Sequence, residues 1–254
     1  MREGSLVRTA LAPVLLGIIA VLLWQGAVTA FDIKPFVLPG PIQIGQQFAT
    51  NIDNVLAGMR VTGWNALVGL IGGAVLGILV AIAAALIRLV DGLAAPIVAA
   101  LAVVPIVALA PVLYTMFGAG AETARQLVAG LAVFVPVYFN TLKGLRQVRP
   151  VHRDLMRSYA ATRWQSTRMV TLPTALPFVF TGLRIASSLA VISALIAEYF
   201  GGPVGGLGRS ITSSASSSNY GLAWAYVLGS IILGLAFYCA ALGLEKLVAR
   251  RNGG

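Results

Sequence analysis

The chain is short of almost everything that equips a water-soluble protein of its size. Of its 254 residues only 10% are Asp, Glu, Lys or Arg, against roughly 25% in ordinary globular domains. So few charges cannot coat a folded surface that faces water. There is one cysteine, Cys239, and one histidine, His152. A single thiol excludes a disulfide within the chain, and the pair offers no ligand set for a Cys/His metal cluster. No Gly-rich run ending in Lys-Ser or Lys-Thr occurs, so the chain has no phosphate-cradling loop of that type. With one histidine and one carboxylate inside an apolar run, Glu198, the residue sets that intramembrane enzymes use are missing as well.

What the sequence has is hydrophobic length. The composition is 58% hydrophobic and the mean hydropathy is +0.89. Apolar runs cover residues 9–30, 64–87, 94–117, 124–142, 178–200 and 222–244. Each is close to the roughly 20 residues that cross about 30 Å of hydrocarbon as a helix. Alternating strands of barrel type are absent. The expected fold is therefore an all-α integral membrane protein of about six transmembrane helices.

The net charge of +10 resembles a nucleic-acid signal until the positions are read. With the N-terminus inside, the inner segments hold Arg2, Arg8, Arg88, Lys143, Arg146, Arg149, Arg153, Arg157, Arg163, Arg168, Lys246, Arg250 and Arg251. The outer segments hold Lys34, Arg60, Arg125 and Arg209, and Arg184 lies within a span. This asymmetry is the positive-inside pattern, with both termini cytoplasmic and no nucleic-acid partner. The first run, ending Val28-Thr29-Ala30, is similar to a secretory signal, but its apolar stretch exceeds the 7–15 residues of a signal core. Residues 1–50 are read as a retained anchor and outer loop, and 51–254 as the core.

Pro35, Pro39 and Pro41 predict an extended, turn-rich start to the outer segment 31–60, which holds no separate domain. Pro96, Pro105 and Pro111 predict a bent third span. Gly69, Gly73 and Gly77, with Gly72 beside them, place small residues four apart, which permits close helix approach. Ser210–Ser218 reads as a solvated outer loop, with the lining of an outer gate as the alternative.

The segment 143–174 between spans four and five is long for a connection in a membrane bundle. Leu155, Tyr159 and Thr162 or Arg163 recur at helical spacing, as do Trp164, Arg168 and Thr171 or Leu172. That predicts two short amphipathic helices joined near 160–163. Asp154 is expected at the start of the first helix, and Pro173 and Pro177 at the entry to the next span. A helix–turn–helix fixed between two membrane helices is suited to receive a push from a soluble partner.

On these residues the chain resembles type I, binding-protein-dependent ABC importer permeases. The family's coupling motif opens Glu-Ala-Ala, has a glycine a few residues on and closes in Leu-Pro. The matching positions are Asp154-Leu155-Met156, Ala160 and Leu172-Pro173. Ala175-Leu176-Pro177, Thr181 to Ala186, and Gly201 to Gly208 after Ala197-Glu198 are similar to the branch of sulfonate, taurine, nitrate and thiamine-precursor permeases. The departures are an Asp for Glu, Leu155-Met156 for two alanines, and Ala160 for the glycine, so the turn there is expected to differ.

The resemblance implies alternating access by a pair of permease subunits, alike or different. Two ATPase subunits carrying ATP and Mg would drive the pair, and an extracytoplasmic binding protein would feed it, in a bacterial plasma membrane. The chain itself would hold no cofactor and would not be an enzyme. The coupling surface would comprise Asp154, Leu155, Met156, Tyr159, Ala160, Ala161, Thr162, Arg163, Leu172 and Pro173. Candidate pathway residues are Glu198, Asn140, Ser187 and Ser188. Glu198 is weighed there against capping the outer loop, and Asn65 and Asn140 against hydrogen bonds between helices. The solute would be small and organic: a pyrimidine-like vitamin precursor, riboflavin, a sulfonate or a similar anion. The alternative is an ATP-independent secondary carrier.

Overall fold

Backbone groups in hydrocarbon must find partners within their own segment, and the apolar runs accordingly fold as helices. The computed structural model describes residues 3–118, 120–201 and 205–252, and no strand occurs among them. Arg2 and residues 202–204, the middle of the glycine-rich stretch, lie outside the described residues. In chain order the elements are α1 (Glu3–Ala30), α2 (Pro41–Thr50), α3 (Ile52–Leu86), α4 (Arg88–Val103), a 3-10 turn (Ile106–Leu109) and α5 (Ala110–Phe117). There follow α6 (Thr123–Arg146), α7 (Pro150–Ser158), α8 (Arg163–Ser166), a π turn (Thr167–Thr171), α9 (Leu172–Tyr199), α10 (Leu207–Ser216) and α11 (Tyr220–Asn252).

Five helices are long and apolar enough to cross a membrane: α1, α3, α6, α9 with the helical turns before it, and α11. The third apolar run is instead broken, for a local reason. Val104, the residue before Pro105, is extended at φ −64° and ψ 130°, as the ring of a following proline requires. Helix α4 ends there, and α5 restarts with Pro111 in its first turn, where a missing N–H costs nothing. Pro96 is tolerated inside α4.

The bundle is built on α3, α6 and α9, and small residues set their spacing. A Cβ on Gly73 would collide with the carbonyl of Gly130 on α6, and one on Gly77 would come within 3.0 Å of the Phe134 carbonyl. Gly69 meets Ala129 in the same way, while Gly72 faces open space. Between α6 and α9, a Cβ on Gly144 would lie 2.7 Å from that of Phe178, and one on Gly182 3.0 Å from that of Asn140. Lipid chains are as apolar as leucine, so close van der Waals contact rather than water exclusion drives such packing. Val133, Val137, Ala186, Ala190 and Ala194 fill the seam. Ion pairs tie on the flanking helices, Arg146 to Asp91 of α4 at 2.7 Å and Arg184 of α9 to Glu245 of α11 at 3.0 Å.

The start of the outer segment, 31–40, is extended and turn-rich as expected, and α2 and the start of α3 follow it. Residues 207–216 form the helix α10 rather than a solvated loop. Leu207 explains this: it is fully buried in the core with Val55 and Tyr226 and anchors the helix to the bundle.

Candidate functional site

Two polar assemblies occupy opposite ends of α6, about 31 Å apart at 1.5 Å per residue from Arg125 to Arg146. The first centres on Glu198, in the last turn of α9. Its side chain is fully buried, and so is that of Arg125 in the first turn of α6. The Arg125 Nη1 donates to Glu198 Oε1 at 3.4 Å. Thr62 Oγ1 of α3 and the Gly208 N–H of α10 each donate to Oε2 at 2.9 Å. Thr62 Oγ1 in turn accepts the Leu207 N–H at 2.9 Å. Tyr114 of α5 donates its hydroxyl to the Ala197 carbonyl at 3.1 Å.

One carboxylate thus joins α3, α6, α9 and the N-terminus of α10, whose free amides and positive end suit a negative group. Two glycines of the 201–208 stretch, Gly206 and Gly208, are explained by close approach to this end of α9. A Cβ on Gly206 would overlap the Glu198 carboxylate, and one on Gly208 would overlap the Leu195 carbonyl. Arg125, counted from the sequence among outer-loop residues, is corrected here to a buried partner of Glu198. Thr62 was not singled out at all. The signal was available in part: an isolated intramembrane acid demands a partner, and Arg125 is one of the basic residues on the same side.

The second assembly is the α7–α8 segment. Helix α7 opens on Pro150 in its first turn, four residues earlier than a start at Asp154. Asp154 is mid-helix and pairs with Arg157 at 3.3 Å on the exposed surface. The turn that follows is closed from both sides. The Ala161 N–H bonds the Met156 carbonyl at 3.0 Å and the Ala160 N–H bonds that of Arg157 at 2.9 Å, the paired bonds of a Schellman cap. Ala160 sits at φ +51°, in the left-handed region that a side chain rarely enters. Thr162 then caps α8 reciprocally: its hydroxyl accepts the Gln165 N–H at 3.2 Å, and the Gln165 side chain accepts the Thr162 N–H at 2.8 Å. From Arg163 the helix runs on, through the π turn, to Tyr199 without a break.

Of the residues assigned to this surface, Met156 and Ala161 are half-buried, and the other eight are exposed. Val151, Leu155 and Tyr159, four apart, leave 64%, 53% and 77% of their surface uncovered, and Trp164 leaves 68%.

The four candidate pathway residues are not brought together. Glu198 is enclosed in its network, and Ser187 is buried with its hydroxyl on the Arg184 carbonyl. The Asn140 amide bonds the Pro136 carbonyl of its own helix at 2.8 Å, not another helix. Asn65 does bond between helices, accepting from Gln126 of α6 at 3.0 Å. Ser188 alone lines a groove, of about 620 Å³, between α9, α10 and α11.

Residues 73–253 match the family described as the binding-protein-dependent transport system inner membrane component. The chain belongs to this family. The permease is 31% identical over 229 residues to the riboflavin transport system permease protein RibX of Chloroflexus aurantiacus, covering 89% of this chain and 85% of that one. It is 33% identical over 246 residues to the taurine transport system permease protein TauC of Escherichia coli, covering 92% and 87%. A crystal structure of an amino acid ABC transporter matches with a TM-score of 0.63 at 16% identity, over 80% of the permease and 96% of that chain, which is a likeness of fold. The permease is therefore an integral inner-membrane component of an ABC importer of type I. An independent secondary carrier is not favoured.

Proposed function

We propose that the permease forms half of the translocation pathway of an ATP-driven importer and that α7–α8 is its docking surface for the ATPase. The observation that carries this is the exposed apolar row Val151, Leu155 and Tyr159, with Trp164 beyond the turn. Large apolar side chains presented together at the end of a bundle mark an interface rather than a solvated helix. The double-capped turn makes the surface rigid, and the unbroken helix from Arg163 to Tyr199 is a lever from that surface to the Glu198 network. A push at one end is carried to the other as a rigid-body motion, as alternating access requires.

In this reading the α7 end is cytoplasmic, in keeping with its arginines. ATP and Mg are held by two separate ATPase subunits, and a second permease subunit, alike or different, completes the pathway. An extracytoplasmic binding protein delivers the solute. The relatives' names, riboflavin, taurine and formylaminopyrimidine transport among them, support a small organic solute.

The test is co-purification. The permease expressed with its neighbouring genes and extracted in mild detergent is expected to bring down a nucleotide-binding subunit. The variant L155E/Y159E changes exposed side chains only, so it should insert normally, lose that subunit and lose uptake. Retention of the ATPase and of uptake by this variant would remove the docking role.

A further inference from the structure

Between α10 and α11 lies a cavity of about 270 Å³ lined by Gly205, Arg209, Ser210, Ser213, Ser214 and Tyr226. The cavity beside α3, α9 and α11, by contrast, is lined by Leu, Phe and Ala side chains. The polar lining contains one cation and no acid. Ser210, Ser213 and Ser214 stand three and four residues apart and share a face of α10, and Arg209 stands one turn before Ser213.

The hydroxyls nearby are occupied: Thr212, Ser216 and Ser217 all donate to carbonyls of α10. Those of Ser210, Ser213 and Ser214 make no such bond among the described residues, which leaves their donors for a guest. Glu198, the carboxylate near this end, is fully buried and already engaged by Arg125, Thr62 and the Gly208 N–H. No acid therefore lines the cavity among the described residues, and the exposed Arg209 is left to water or to a guest.

We propose that this cavity is a head-group subsite for an oxyanion, a sulfonate, carboxylate or phosphate group carried by the transported solute. The guanidinium fork pairs with two oxygens of such a group, and the serine hydroxyls donate to the remainder. The volume falls just below the roughly 300–1,000 Å³ of whole-ligand pockets. It suits the charged end of a solute, with the rest of the molecule lying beyond the cavity. The proposal rests on the permease reading and names the class of solute.

The test uses the permease with its co-purifying subunits in nanodiscs of phosphatidylcholine, titrated calorimetrically with ethanesulfonate, and with tetramethylammonium as the cationic control. Saturable ethanesulfonate binding is expected, weakened roughly 10- to 100-fold by R209Q, as loss of a charged hydrogen-bonding partner implies. R209K should lose less, because it keeps the charge and gives up only the fork. Unchanged binding in R209Q, no saturable ethanesulfonate binding in the unmodified protein, or equal binding of tetramethylammonium would each overturn the proposal. So would retention of anionic lipid by the unmodified protein, lost in R209Q, without binding of ethanesulfonate, since the site would then hold a lipid head group. Retention of the ATPase subunit by all variants keeps the permease reading separate from this outcome.

Discussion

Replacing Glu198 by alanine tests whether a single buried ion pair holds one end of the bundle together. The substitution removes the acceptor of two 2.9 Å hydrogen bonds, from Thr62 and from the Gly208 N–H, and the counter-charge of Arg125 at 3.4 Å. Both members of the pair are fully buried, so water does not replace what is lost. Removing one partner of such a pair costs about 3–5 kcal/mol. The lost hydrogen bonds are part of that figure rather than an addition to it, because they share the same carboxylate.

At about 2–4 °C per kcal/mol for a chain of 150–250 residues, E198A should lower the apparent Tm by roughly 6–20 °C. The assay is heating in detergent followed by size-exclusion detection of the remaining monodisperse protein. E198Q, which keeps the shape and an acceptor for the α10 amide, should lie between. The double variant R125M/E198M removes both charges and should recover part of the loss, since a buried pair exchanged for apolar side chains is often neutral. An E198A Tm within about 3 °C of the unmodified protein, a shift worth only ~1 kcal/mol, would refute the reasoning.

Other expectations follow from the same geometry. G73L should abolish the folded monodisperse protein, because the side chain meets the Gly130 backbone, whereas G72L, which faces open space, should be tolerated; equal behaviour of the two would contradict the packing of α3 on α6. A160G should stabilise the α7–α8 turn by about 1 kcal/mol, since an L side chain in the left-handed region costs roughly 1–2 kcal/mol and glycine returns part of that through unfolded-chain entropy. Slower amide exchange at Ala161 would show the gain, and faster exchange would refute the assignment.

Much of this molecule was legible before its tertiary structure. The span-length apolar runs without strand alternation and the scarcity of charge point to an all-α membrane protein, because hydrocarbon obliges the backbone to satisfy itself within each segment. Two short helices joined near 160–163 were readable too, although the first opens at Pro150 rather than Asp154; the cap of the second is local, with Thr162 and Gln165 three apart. The third run was read as a bent span, and its break differs from that reading, although Pro105 and the residue before it supply the local cause.

What only the tertiary structure decided are the pairings between distant segments. Glu198 meets Thr62 across 136 residues and Arg125 across 73, and no periodicity within one helix reports such a meeting. Arg125 reads as a loop residue when only its distance from a span end is counted; it is buried because a carboxylate from another helix compensates it. Likewise the serines of 210–216 read as solvated until Leu207, seated in the core, holds them in a helix against α11. Local chemistry set the elements. Which faces they present to one another was set by close packing at Gly69, Gly73, Gly77, Gly144 and Gly182, where the missing side chains matter only once the neighbouring helix is in place.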